Sequence, residues 1–402
     1  MTFPLASAID DLATAFEDEI LSFRRDIHAH PETARQEHRT TQAVAERLRQ
    51  AGLTPVLFKG TGLMCDIGPS AEEGGESLIA LRADIDALPL QETSGLPFAS
   101  VNDGVSHSCG HDVHTSVVLG AGLILARLAQ EGRLTQGVRL VFQPAEEVQP
   151  GGALDLLAQD VLDDVGEIFA VHTEPKLDCG LIGSRIGPIT SACDTITVTV
   201  TSHGGHTSRP HLTGDVVYAI GEIITEVPAV LGRRLDPRSG VNMTWGSVQA
   251  GAAPNAIPAS GMIMGTLRCL EVSAWEQAAH VLKETVAHVA AAYGVEVALH
   301  HQRGVPPVDN AESCTLDIEA AARDALGGHS VTLTEQSLGG EDFAWYLTKV
   351  PGALIRLGTR TPGGKTYDIH RGDLRIDENS LKVGMRILAR VATGEDARLD
   401  RV

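Results

Sequence analysis

Val138-Arg139-Leu140-Val141-Phe142-Gln143-Pro144-Ala145-Glu146-Glu147 decides how this chain reads. An apolar strand runs without a break into a proline and an acidic pair. Upstream lies a long apolar run, Val117 to Leu128, which predicts a buried helix reaching about Gln130. Before that, Leu63 to Ile67 and Leu78 to Arg82 read as strands separated by a Gly- and Glu-rich turn. Downstream, a helix over about Gly152 to Gln159 precedes a strand ending in Ala170-Val171-His172. Strands and helices alternating from 60 to 172 imply βαβ units. The fold class is therefore α/β, a mostly parallel sheet with helices on both faces.

Two helices precede this core. Residues 8–29 carry Ile9, Leu12, Phe16, Ile20, Phe23 and Ile27 on one stripe and stop near His30-Pro31. Thr40 to Ala51 is closed by Gly52. After Gly187 the texture changes. Asp194 to Ser202 alternates strictly, Asp215 to Leu231 is amphipathic, and Val241 to Val248 and Ser260 to Leu267 read as strands. Ser273 is the expected N-cap of a helix reaching Tyr293, and Val295 to His300 alternates again. The order β-α-β-β-α-β is a ferredoxin-like α+β arrangement. The α/β texture then returns, with helices over about Leu316 to Leu326 and Ser380 to Ala392 and a strand from Ala353 to Leu357. The expected organisation is a discontinuous first domain, 1–187 and 302–402, interrupted by an inserted domain, 188–301.

The chain has 402 residues, beyond the roughly 250–300 at which single cores stop growing. It is 43% hydrophobic with a mean hydropathy near zero, which describes a soluble globular protein. Its formal charge of −20 argues against nucleic acid or an anionic membrane as partner, since both need basic patches. Cys65, Cys109, Cys179, Cys193, Cys269 and Cys314 have no close spacing, so a reducing compartment is expected. Acidic residues interrupt the start of the chain, and no window holds ~18 uninterrupted apolar residues. The expected location is the cytoplasm.

Polar clusters fall at or beyond strand ends, where α/β sheets build their sites. Cys109 and His111, two residues apart, suit a borderline or soft divalent ion, although an isolated pair could also be a polar helix start with a chance cysteine. With Glu147, His172 and His370 they make five donors, enough for two ions if one donor bridges. Two-metal hydrolytic sites hold their ions ~3.5–4 Å apart, polarise a carbonyl and activate water. Adjacent residues point in different directions, so of Glu146 and Glu147 one can bind metal while the other faces the water as general base. His107, His114, His203, His211, His300 and His301 read as structural or solvated, and Asp342 as a helix cap or, alternatively, a site residue.

The ordered set of motifs resembles one family across nearly the whole chain. It comprises Asp26 to Glu32, Arg82 to Pro89, Cys109-Gly110-His111-Asp112, Gln143 to Glu147, His172, Gly204 to His211, Pro254 to Pro258, Gly265 to Arg268 and Gly339 to Phe343. The family is that of the metal-dependent amidohydrolases, which includes aminoacylases, hippurate hydrolases and indoleacetyl-amino-acid hydrolases. Asp84 stands where the wider family's first ligand histidine would be, which points to the aminoacylase-like branch. The resemblance implies a zinc-exopeptidase-like fold and a site of two divalent ions (manganese, zinc, cobalt or nickel) on Cys109, His111, Glu147, His172 and His370. It makes Glu146 the base and His206 an oxyanion stabiliser. Asn255 and Arg268 would be substrate contacts, and Asp86 would orient a ligand from behind. It further implies a homodimer or higher homo-oligomer acting on a small acyl-amino-acid substrate. The chain departs from the pattern at Thr207-Ser208 and at Gly372, Leu374 and Arg375, after the last ligand. The expected reaction is hydrolysis of the amide bond of an N-acyl amino acid or related conjugate. The rivals are a dipeptidase or carboxypeptidase and a non-catalytic metal-dependent binding protein.

Overall fold

A computed structural model describes residues 5–70 and 77–394; most of the Gly- and Glu-rich turn predicted before Leu78 lies outside the described residues. The chain forms two compact units. One comprises the segment up to Gly187, Asn310–Glu335 and the segment from Trp345; the other comprises Pro188–Asp309 and Gln336–Ala344.

The first unit is built on an eight-stranded sheet. Its spatial order is Val56–Leu57, Leu63–Ile67, Val138–Gln143, Leu78–Asp84, Val165–Asp178, Gly352–Arg360, Ile182–Ser184 and Val331–Leu333. The central pairings are parallel, and antiparallel pairs occur towards both flanks. Val138–Gln143 and Leu78–Asp84 are buried at every position, which is why they read as nearly continuous apolar runs.

The two faces of this sheet differ. On one, Ile79, Leu81, Leu140, Phe142, Phe169 and Val171 join a large aliphatic core with Ile20, Leu123 and Met385. That core lies under the helices Leu5–Ala29, His111–Gln130 and Asn379–Thr393. Each large side chain buried there contributes about 1.5–3 kcal/mol. The opposite face is partly polar. Arg82 Nε and the Tyr346 hydroxyl both donate to Gln143 Oε1, at 2.9 and 3.0 Å. Arg139 donates to the carbonyls of Val161 and Asp163, in the segment after the short helix Gly152–Leu157.

His111–Gln130 has the length and hydropathy of a membrane span, and 89% of that span is buried within the molecule. A helix apolar on all sides belongs in a core. Its glycines permit close approach, since a Cβ at Gly120 would lie 2.3 Å from Met385 Sδ and one at Gly122 2.3 Å from Leu140 Cδ1.

Several boundaries differ from the sequence reading: the helix expected from Leu316 starts at Glu312, and the strand expected to end at Leu357 runs to Arg360. The strand expected to end at His172 continues to Asp178. It pairs with Leu78–Asp84 only as far as Ala170 opposite Arg82, but with Gly352–Arg360 as far as Asp178 opposite Arg360. His172 therefore emerges where one neighbour stops, not where its own strand does. Ser273 is not an N-cap: the helix Val272–Ala292 encloses it.

The second unit is a four-stranded antiparallel sheet in the order Asn242–Ala250, Ser260–Cys269, Ala192–Thr201, Glu296–Val305. In chain order this is second, third, first, fourth, the ferredoxin-like arrangement. Val216–Arg234 and Val272–Ala292 pack on it over Ile196, Val198, Val200, Ile220, Ile263 and Leu282. Asp215 caps the first of these helices by accepting the Tyr218 N–H at 3.1 Å.

Candidate metal centre

The centre begins at a turn only glycine fits. Gly110 has φ +91°, and a Cβ there would sit 2.5 Å from Thr173 Oγ1. The turn buries Cys109 just before the helix and makes His111 the first helical residue. Cys109 Sγ lies 3.7 Å from His172 Nε2. His111 donates from Nδ1 to Asp86 Oδ1 at 3.2 Å, which aims its Nε2 at Glu147 Oε1 at 3.7 Å and Asp84 Oδ2 at 3.8 Å. Asp86 Oδ2 accepts the Glu147 N–H at 3.0 Å. His370 completes the group, with Nε2 3.3 Å from Glu147 Oε1 and its N–H bonded to Ser108 O at 2.7 Å.

Donor atoms of Cys109, Glu147 and His370 lie within 4.8 Å of one another, as do those of His111, Glu146 and Glu147. The five predicted ligands and Glu146 are thus brought together from four separated segments. Among the described residues, His111 Nε2 and Glu147 Oε1 are buried without a hydrogen-bond partner. A buried ring nitrogen and carboxylate oxygen held 3.7 Å apart without a hydrogen bond cost free energy, which a cation bound between them after loss of the ring proton would offset. The thiol, imidazole and carboxylate set fits a borderline divalent ion.

The protonation states follow from the surroundings. Burial pushes the Cys109 thiol up to about 12, so a bound cation is needed to make it a thiolate at neutral pH. Burial, aided by Arg356, holds His172 well below the ordinary histidine value. Its Nδ1–H donates to Thr173 O at 2.8 Å, leaving Nε2 as the lone-pair nitrogen. Burial opposes charge on His111, but Asp84 and Cys109 outweigh it and hold the ring well above the ordinary value. The Glu147 carboxylate 3.3 Å away raises His370.

Ala145 and His370 both adopt φ +57°, a left-handed conformation that costs a non-glycine residue roughly 1–2 kcal/mol. The two strained positions flank the donor cluster.

The sequence reading set His114 aside as structural or solvated and gave Asp84 no part beyond marking a branch. His114 is fully buried; its Nδ1 donates to Asp84 Oδ1 at 2.6 Å and its Nε2 accepts the Thr173 N–H at 2.7 Å. Those bonds settle its tautomer and anchor the residue next to His172. Burial raises Asp84, but His111, His114 and Arg82 outweigh this and hold it well below the usual carboxylate range. The available signal was spacing, since His114 follows His111 by three residues on one helix face.

In the second unit, His206 and Asn255 are neighbours on a two-stranded ribbon, with His206 opposite Ala256. His206 Nδ1 accepts from the Ser208 N–H at 3.1 Å and the Ser208 hydroxyl at 2.8 Å, so its proton sits on Nε2. Arg268 Nη1 donates to Leu338 O, in the segment that carries Gly339 to Phe343.

Residues 80–394 match Peptidase family M20/M25/M40. A Rhodococcus jostii protein bearing the name of a glutamate–cysteine ligase is 46% identical over 94% of this chain, which spans only 47% of that longer protein. The N-acetylcysteine deacetylase of Bacillus subtilis is 35% identical over 94% of this chain and 97% of its own length. The crystal structure of a Bacillus subtilis protein, described as a dinuclear metal binding peptidase, superposes with a TM-score of 0.81. It is 31% identical and covers 94% of this chain and 98% of its own. The chain therefore belongs to peptidase family M20/M25/M40, whose members are hydrolases.

Proposed function

We propose that this protein hydrolyses the amide bond of N-acyl amino acids, releasing a carboxylic acid and the free amino acid. The observation that carries the reading is the convergence of Cys109, His111, Glu147 and His370, with His172 against Cys109 Sγ and Glu146 beside them. Two divalent ions held there would supply Lewis acidity to the scissile carbonyl and lower the pKa of the attacking water.

The protein's own groups do the rest. Glu146 accepts the proton of the attacking water and passes it to the leaving nitrogen as the amide breaks. His206, with its proton on Nε2, donates to the oxyanion of the tetrahedral intermediate. Asn255 holds the substrate backbone and Arg268 its carboxylate. Asp86 orients His111 through Nδ1.

Among amino acids, cysteine derivatives come first. The Bacillus subtilis relative named for N-acetylcysteine matches along almost its full length. The ligase name belongs to a protein of which this chain spans 47%, and it does not carry over.

The test is a panel of acetyl-, benzoyl- and indoleacetyl-amino acids, N-acetylcysteine among them, beside free dipeptides. The protein is first loaded in turn with manganese, zinc, cobalt or nickel. Turnover of the acyl-amino acids above the dipeptides supports the reading. Turnover of dipeptides alone replaces it with a dipeptidase, and metal-dependent binding without product replaces it with a binding protein.

A further inference from the structure

Ala145 is the residue immediately before the acidic pair, and its φ of +57° is one that alanine resists. Something must hold it there, and the structure assigns that task to a carboxylate 108 residues away. Glu37 Oε1 accepts the Ala145 N–H at 2.8 Å and the Arg35 N–H at 2.9 Å, while Oε2 accepts the Thr61 hydroxyl at 2.7 Å. Arg35 is itself left-handed, at φ +66°, so both N–H donors come from strained backbone. Glu37 is fully buried, and its carboxylate is satisfied by this clamp and the Thr61 hydroxyl. On the far side of the turn, Ala145 O accepts the Gly152 N–H at 2.9 Å and Asp86 takes the Glu147 N–H at 3.0 Å.

Without the Glu37 bond, the Pro144–Glu147 turn would relax towards right-handed backbone and swing Glu146. Glu147 would be less affected, because Asp86 anchors its own amide. We propose that Glu37 is a positioning residue for Glu146, fixing the direction of the base by clamping the Ala145 amide. The proposal rests on Glu146 being the base.

The decisive variants are Glu37→Asp, which keeps the charge but shortens the reach by one methylene, and Glu37→Gln. In the latter, the amide oxygen can accept both N–H groups and the amide nitrogen can donate to Thr61. For Glu37→Asp the expected result is a kcat roughly 10- to 100-fold below the parent, with KM and metal content unchanged. Glu37→Gln should recover most of that loss. Ala145→Gly added to Glu37→Asp should recover part of it, because glycine holds a positive φ without a clamp. Hydrogen exchange in the metal-free protein supplies a readout separate from turnover: the Ala145 amide should exchange faster in Glu37→Asp than in Glu37→Gln or the parent. A Glu37→Asp protein with parent kcat, or a protected Ala145 amide in it, overturns the proposal. So does a kcat loss matched by Glu37→Gln. If Glu146→Gln is inactive while Glu37→Asp is fully active, only the clamp falls; if Glu146→Gln stays active, the assignment of the base falls first.

Discussion

Asp86 joins two candidate ligands, accepting His111 Nδ1–H on one oxygen at 3.2 Å and the Glu147 backbone N–H on the other at 3.0 Å. One buried carboxylate thus orients an imidazole and fixes the path of the chain carrying the candidate ligand Glu147. Asp86→Ala is expected to weaken divalent-metal affinity by roughly 10- to 100-fold, measured by calorimetric titration of the metal-free protein. Asp86→Asn should do less harm, because its amide oxygen can still accept from His111.

Metal uptake should release protons. In the metal-free fold, burial pushes the Cys109 thiol up to about 12, and Asp84 and Cys109 hold His111 well above its ordinary value. Both groups must lose a proton before they can bind an ion, so apparent affinity rises with pH and falls as the solution is acidified. Calorimetry in buffers of different ionisation enthalpy checks this. Cys109→Ser should weaken binding and alter the proton count.

Behind the ligand turn, His28 sits between two carboxylates, with Nδ1 2.8 Å from Asp112 Oδ2 and Nε2 3.3 Å from Glu92 Oε1. Burial opposes its charge, but Asp112 and Glu92 raise its pKa above the ordinary 6.5. Glu92 is lowered from 4.5 to about 2: burial works against this, and bonds to His28 and Ser94 outweigh it. The His28 contribution is complete below pH 6.5 and is lost as pH rises through its folded value. The Glu92 contribution is complete above pH 4.5 and is lost as pH falls towards 2. Urea unfolding across pH should therefore show the pair at full strength between those limits. His28→Gln should flatten the decline on the alkaline side.

His206→Ala is expected to lower kcat by roughly 10²–10³ while leaving metal content unchanged, as removal of an oxyanion donor does. Ser208→Ala frees the Nδ1 acceptor of one of its two donors and should cost less. Steady-state kinetics of the two variants on one acyl-amino acid gives the comparison.

What the sequence made legible were features that run along the chain. The strand into Glu146-Glu147 and the close spacing of Cys109 and His111 are local patterns, and both segments contribute to the donor cluster. The ferredoxin-like arrangement followed from the β-α-β-β-α-β order of strands and amphipathic helices along the chain. What stayed hidden depends on approach across the chain. Nothing local says that Glu37 will meet Ala145, or that Arg268 will bond a carbonyl 70 residues on. His172 misled because its apolar run ends there while its pairing with Gly352–Arg360 does not. Ser273 misled because a plausible capping residue is no cap once the helix starts at Val272, two residues before a Ser273 cap would start it.

The most direct measurement pairs metal analysis with turnover for Glu146→Gln. With Glu146 as the base of a two-metal hydrolase, the variant should hold the same two divalent ions per chain as the parent and hydrolyse N-acetylcysteine, or whichever acyl-amino acid the parent prefers, about 10²- to 10⁴-fold more slowly. Near-parent hydrolysis by the fully loaded variant would contradict the account.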